Sequence, residues 1–234
     1  MSRVIDYLVC FSSECEERYN TNMTTIEQAG DRSLPLRERK KLRIRRALAD
    51  AALRLFTEKG YDATTLEEVA DQADVSKSTF FRFFPAKEAA AIEAEAELWS
   101  AYLDALGGRE LSGGILEVLH QTLAVAVATL EPRWDERFLA TRRLVAAEPA
   151  LLGYLDHYRA GVKNELIVLL AQKLRLDDED LRLFVLAELT ISAFSVAGRQ
   201  WVRKNGQGGR KALIKRFDDT ISAVPASLDL SAPV

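Results

Sequence analysis

The chain has 234 residues, 48% of them apolar and 29% charged, with a formal net charge of −3. This balance excludes a disordered, fibrous or disulfide-stapled chain and leaves room for one or two domains with a sizeable core. The longest apolar runs, 123–130 and the 184–198 stretch interrupted by Glu188, fall short of the roughly 20 residues of a bilayer-spanning helix, so no membrane partner is expected.

The charge is unevenly spread. Residues 1–31 carry two basic and six acidic groups, residues 32–90 thirteen and nine, and residues 91–234 seventeen and twenty. Residues 32–60 alone hold ten basic against three acidic groups. That stretch reads either as a surface facing nucleic-acid phosphates or as the solvated face of a long helix. Cys10 and Cys15 have no further cysteine or histidine nearby to complete a zinc set, which points to a reducing, cytoplasmic setting.

Residues 1–35 show no sustained periodicity and no secretory order, and they read as a flexible extension. Met23 lies shortly before the structured region, so residues 1–22 are open as part of the natural protein. From Leu36, the apolar residues Ile44, Leu48, Ala51, Ala52, Leu55 and Phe56 recur at helical spacing up to Gly60, a residue suited to the left-handed position after a helix end. Thr65 opens a second helix, with Glu68 three residues on in the capping-box arrangement. Asp74-Val75-Ser76 makes a tight turn, and Ser76 caps a short third helix that runs to about Phe84 and is closed by Pro85. Two helices joined this closely form the connection of a helix-turn-helix.

The alanine- and glutamate-rich stretch from Lys87 to Leu106 predicts one long helix, broken by Gly107-Gly108 and Gly113-Gly114. Further helical patterns cover 115–130, 134–147, 150–175, 180–204 and 209–223, set apart by Pro132, Pro149 and the acidic 177–180 segment. No strand alternation or repeat is present, so the fold class is all-α. The division into domains is 1–35 as extension, 36–86 as helix-turn-helix domain, 87–224 as helical effector and dimerisation domain, and 225–234 as tail.

The order Gly60-Tyr61, Thr64-Thr65, Val69-Ala70 and Val75-Ser76-Lys77-Ser78-Thr79-Phe80-Phe81-Arg82-Phe83-Phe84-Pro85-Ala86-Lys87-Glu88 resembles the DNA-binding domain of the TetR family. The resemblance covers about a fifth of the chain. It implies a homodimer whose two third helices enter successive major grooves of a palindromic operator, and a C-terminal domain that binds a small molecule. A repressor released by that effector is the first reading; an activator, or a helical adaptor that has lost DNA binding, is the alternative.

The physical properties of the residues agree. A helix as short as the third must divide its aromatics between core and groove, with Phe80 and Phe84 inward. Ser76, Lys77, Ser78 and Thr79 stand in its first turn, where short hydrogen-bonding side chains meet phosphates and base edges; Lys77 and Thr79 are the best base-edge candidates, and Arg82 lies one turn on. Thr65 matches a family position that bonds a phosphate and is equally explained as a helix cap. Lys87 matches another phosphate contact. Phe81 stands where the family commonly has tyrosine, so a hydroxyl anchor to phosphate is lost, while a thymine methyl or a sugar remains within its chemistry. Arg39, Lys40 and Arg43 belong to a basic arm that reaches a minor groove or attracts phosphates generally.

In the second half, Trp99, Tyr102, Trp134, Phe138, Tyr158, Arg142 and His157 read as a pocket for an apolar or acyl-like effector, or else as ordinary core and surface. The run Arg142-Arg143-Leu144 to Glu148-Pro149-Ala150-Leu151, with Trp201, resembles C-terminal domains of some actinobacterial TetR-type regulators, those of the mycofactocin system among them. The family places its dimer interface on the last two long helices, whose apolar faces also serve the core. His120 and His157 lie far apart without neighbouring ligands, so no metal or other cofactor is expected. An enzyme is not expected either. Gly206-Gln207-Gly208-Gly209-Arg210-Lys211 lacks the spacing of a phosphate-binding loop, and no Gly-x-Ser-x-Gly turn occurs.

Overall fold

The structure, a computed structural model, describes residues 35–231, so all but the last residue of the extension expected over 1–35, with Cys10 and Cys15, lies outside the described residues. Among those described, regular structure consists of ten helices and no strands: α1 (Leu36–Lys59), α2 (Leu66–Gln72), α3 (Lys77–Phe83), α4 (Lys87–Ala91), α5 (Glu93–Gly108), α6 (Ile115–Thr129), α7 (Trp134–Ala147), α8 (Pro149–Leu174), α9 (Leu181–Arg203) and α10 (Gly209–Leu228). The protein is all-α.

The chain separates into two compact units, residues 1–46 and 47–234. In the first unit the described part is the opening of α1, where Lys41 lies 3.6 Å from Glu38. The division falls within α1.

In the second unit, Leu48, Leu55 and Phe56 of α1, Val69 and Ala70 of α2, and Phe80 and Phe84 are all buried. Phe80 and Phe84 therefore point inward, as their spacing predicts. The turn between α2 and α3 is fixed by backbone bonds: the Val75 amide donates to the Ala70 carbonyl at 3.0 Å and the Asp74 amide to the Asp71 carbonyl at 3.0 Å. This is a Schellman closure, and it requires Asp74 to adopt a left-handed conformation, at φ 54°. Aspartate tolerates that region better than most side chains.

The single helix predicted over Lys87–Leu106 is two helices that meet at Ile92. The cause lies on α7. Thr141 Oγ1 donates to the Ala91 carbonyl at 3.0 Å, and the Glu95 amide turns instead to the Ile92 carbonyl at 2.9 Å. The second piece then runs on through Gly107 and Gly108, and the last helix continues through Pro225 to Leu228.

Helix α9 packs against α6, α7, α8 and α10. Its 23 residues are long and apolar enough to cross a membrane by length and composition, which corrects the shorter apolar stretch read from sequence. Its Leu183, Ala187, Ile191, Phe194, Ala197 and Trp201 are buried in the protein core, as in the central helix of a bundle. An aromatic chain crosses this core: Trp99 to Phe194 at 5.6 Å, Phe138 to Trp201 at 6.3 Å and Phe194 to Phe217 at 5.5 Å between centroids.

One ionic cluster lies within it. Glu95 is 0% exposed; its Oε1 accepts from Arg142 at 2.8 Å and Arg159 at 2.6 Å, and its Oε2 from the Trp99 indole at 3.0 Å. Burial alone would raise this carboxyl's pKa, but the Arg159 and Arg142 charges outweigh it and hold the group below its ordinary range. Removing one member of such a cluster strands the others, so Glu95→Ala is expected to lower unfolding free energy by about 3–5 kcal/mol. Urea unfolding followed by circular dichroism checks this, and an unchanged midpoint would show the cluster to be energetically idle.

Candidate nucleic-acid interface

Seven residues of α3 are positioned by two caps. Ser76 Oγ accepts from the Thr79 amide at 3.2 Å and lies 2.8 Å from Ser78 Oγ and 2.9 Å from Thr79 Oγ1. At the start of α2 the capping box is complete: the Glu68 amide donates to Thr65 Oγ1 at 3.2 Å, and the Thr65 amide to Glu68 Oε2 at 2.9 Å. With Phe80 and Phe84 inward, Lys77, Ser78, Phe81 and Arg82 are left exposed on α3, and Thr79 is half-buried. The structure thus brings together the candidates Ser76, Lys77, Ser78, Thr79, Phe81 and Arg82 on one short helix, with Thr65 at the end of the helix packed against it.

Sequence reading missed what two of the lysines do in the unbound protein. Lys77 Nζ bonds Glu67 at 2.5 Å, and Lys59 Nζ bonds Glu68 at 2.5 Å. The Lys77 bond lowers the Glu67 carboxyl's pKa, and the Lys59 bond, aided by the Thr65 amide, brings Glu68 down to about 2. Both pairs are solvent-exposed, so phosphate oxygens compete readily for the lysines. The Glu68 contribution to α2 is full above the ordinary carboxylate range and is lost as pH falls toward about 2.

Lys87 is also engaged. Its ammonium donates to the Tyr61 carbonyl at 2.9 Å and the Thr64 carbonyl at 3.4 Å and lies 4.0 Å from the Tyr61 ring centroid. The Tyr61 hydroxyl donates to Glu88 in a short bond. Burial, then the Glu88 carboxylate, pushes that hydroxyl's pKa up. The two first residues of α4 therefore clasp the turn that leads into α2. Arg39, Lys40 and Arg43 lie in the first turns of α1, with Lys40 and Arg43 exposed.

The residues singled out for an effector divide. Trp99, Tyr102, Trp134 and Phe138 are fully buried, and Arg142 is held by Glu95. Amphipathic aromatics suit a core when an internal partner takes the polar atom, as the Ala94 carbonyl takes the Trp134 indole at 2.7 Å. His157 and Tyr158 of α8 instead line a cavity of about 440 Å³, together with Gly161, Val162 and Glu165 and with Ser100, Leu103 and Asp104 of α5. The α5 residues of this lining were not legible, since their exposure depends on where α8 runs. His120 bonds Asp218 at 2.6 Å, and among the described residues no three potential ligands cluster for a metal. Arg210, after the glycine-rich loop, caps the end of α6 through the Leu130 and Glu131 carbonyls.

Two outcomes follow from this geometry. Glu67→Gln frees Lys77 and should tighten DNA binding while steepening log K against log salt by about 0.9 for each phosphate newly neutralised; titration at several salt concentrations reads both, and weaker binding would place Lys77 away from the DNA. Lys87→Ala removes bonds to the turn and should lower unfolding free energy by about 1–2 kcal/mol. A variant of unchanged stability that has lost DNA affinity would assign Lys87 to phosphate alone.

The family of bacterial regulatory proteins named for tetR matches residues 48–94, which run from within α1 into the first turn of α5. HTH-type transcriptional regulator TcmR of Streptomyces glaucescens is 29% identical over 172 residues, 71% of this chain and 76% of TcmR. HTH-type transcriptional repressor KstR of Mycolicibacterium smegmatis is 30% identical over 144 residues, 58% of this chain and 65% of KstR. Among solved structures, the fatty acid degradation regulator FadR of Bacillus halodurans aligns with a TM-score of 0.49 and 19% identity over 77% of this chain and 96% of that one. With its helix-turn-helix matched and its relatives regulators, the chain is a DNA-binding transcriptional regulator that carries a TetR-family helix-turn-helix domain.

Proposed function

We propose that the protein is a homodimeric repressor that grips a palindromic operator in the cytoplasm and is released from it by a small-molecule effector. The observation that carries this reading is the bonding of α4 to the DNA-reading unit. Lys87 and Glu88 hold the Tyr61–Thr64 turn, and α4 leads through Ile92 into α5, whose Ser100, Leu103 and Asp104 face the cavity shared with α8. A ligand that parts α5 from α8 shifts the helix that carries the clasp.

In this reading Thr65, Ser76, Lys77, Ser78, Thr79, Phe81 and Arg82 meet the DNA, and Arg39, Lys40 and Arg43 add phosphate neutralisation. Two reading helices must lie about 34–36 Å apart to meet one face of the duplex. A change in that spacing worth about 1–3 kcal/mol reduces operator affinity 5- to 150-fold. The effector is apolar or acyl-like. Leu103 and Val162 of the cavity lining offer it an apolar surface, while His157, Tyr158 and Glu165 supply groups that bond a polar head.

The test is footprinting of the genomic fragment best retained by the purified protein, with and without dodecanoate, alongside sedimentation at micromolar concentration. A dimer that protects a palindrome with steep salt dependence, and loses it on adding dodecanoate, is the expected result. A monomer, or a footprint without symmetry, would end the two-half-site mechanism. A palindrome indifferent to dodecanoate would remove the acyl class alone.

A further inference from the structure

Resting on the proposed role of α3 in meeting the operator, we propose that Phe81 reads the C5-methyl group of a thymine there, so that part of the protein's sequence preference is apolar. On the exposed side of α3 the ring is 48% open to solvent, while its neighbours there, Lys77, Ser78 and Arg82, are all polar. It is not a loosely hung side chain. The ring meets Phe80 edge-on, with centroids 5.7 Å apart and planes at 87°, and Phe80 is itself wholly buried and packed on Phe84 at 5.6 Å. The core thus sets where the Phe81 ring stands.

A phenylalanine has no donor or acceptor, so neither a phosphate oxygen nor the polar edge of a base rewards its approach. The apolar group that the major groove of unmodified DNA presents is the thymine methyl. Ser78 lies one turn before Phe81 on the same side of α3, close enough for a hydroxyl contact beside the ring's apolar one. Lys77, four residues before Phe81, is drawn toward α2 by Glu67, which leaves the ring uncrowded by that ammonium.

The experiment uses the full-length protein and the fragment it selects, with each thymine of one half-site replaced in turn by deoxyuridine. Uracil removes the methyl and leaves every hydrogen-bonding edge in place. At one position the substitution should cost about four-fold in affinity per half-site, the worth of one buried methyl at about 0.8 kcal/mol. Phe81→Ala should bind the dT and dU fragments equally, and Phe81→Tyr, which keeps the ring, should retain the penalty. The proposal is overturned if no thymine in the wild-type complex responds to dU, or if Phe81→Ala pays the same penalty as wild type. Affinity for the unmodified fragment reports DNA binding itself, so loss of methyl reading is distinguishable from loss of DNA binding.

Discussion

Glu95 has no exposure to solvent, and a carboxylate so placed is tolerable only with its lone pairs filled and its charge opposed. Arg142, Arg159 and the Trp99 indole meet both conditions, and in doing so they tie α5 to α7 and α8. Burial depresses the Arg142 pKa and Glu95 opposes that effect, so each member stabilises the charge of the other. Such a cluster adds little net stability over an apolar core, but it fixes register, because a helix that slides by one residue strands a charge. A second set does the same beside it, where Arg137 meets Glu97 at 2.6 Å and Glu131 at 2.7 Å. The opening turns of α5 are therefore tied to α7 and α8, and they follow directly on the residues of α4 that hold the Tyr61–Thr64 turn.

Much of this was legible because it is local. The capping box of Thr65 and Glu68, the closing turn at Asp74, the inward Phe80 and Phe84 and the ends of α6 and α7 all depend on residues within a few positions of one another. The break at Ile92 was not legible, since its cause is a threonine 50 residues away in sequence. The same limit applies to the second half of the chain. Trp99 and Trp134 present a polar atom and a large apolar body, a pattern shared by pocket walls and cores, and the distinction rests on whether an acceptor such as Glu95 or the Ala94 carbonyl lies within reach. The motif assigns Lys87 to a phosphate, and its bonds to two carbonyls of the turn come from a fold the motif does not spell out.

Charge is unevenly shared among the N-terminal helices. Lys59 and Lys77 are each matched by a glutamate of α2, so the unbound reading surface is less positive than its lysines imply, and the positive excess of the region lies largely in the basic residues of α1. Non-specific attraction scales with phosphates neutralised and carries no sequence information. In the proposed function, an α3 whose lysine is already paired contributes less to that attraction and relies more on contacts that differ between base pairs. The proposed function assigns contacts of that kind to the hydroxyls of Ser76, Ser78 and Thr79 and to the exposed ring of Phe81. In the proposed function, an overall acidic chain that places most of its basic surplus in one helix, and pairs the lysine of α3 with a carboxylate, gives up raw affinity for DNA and gains discrimination among sequences.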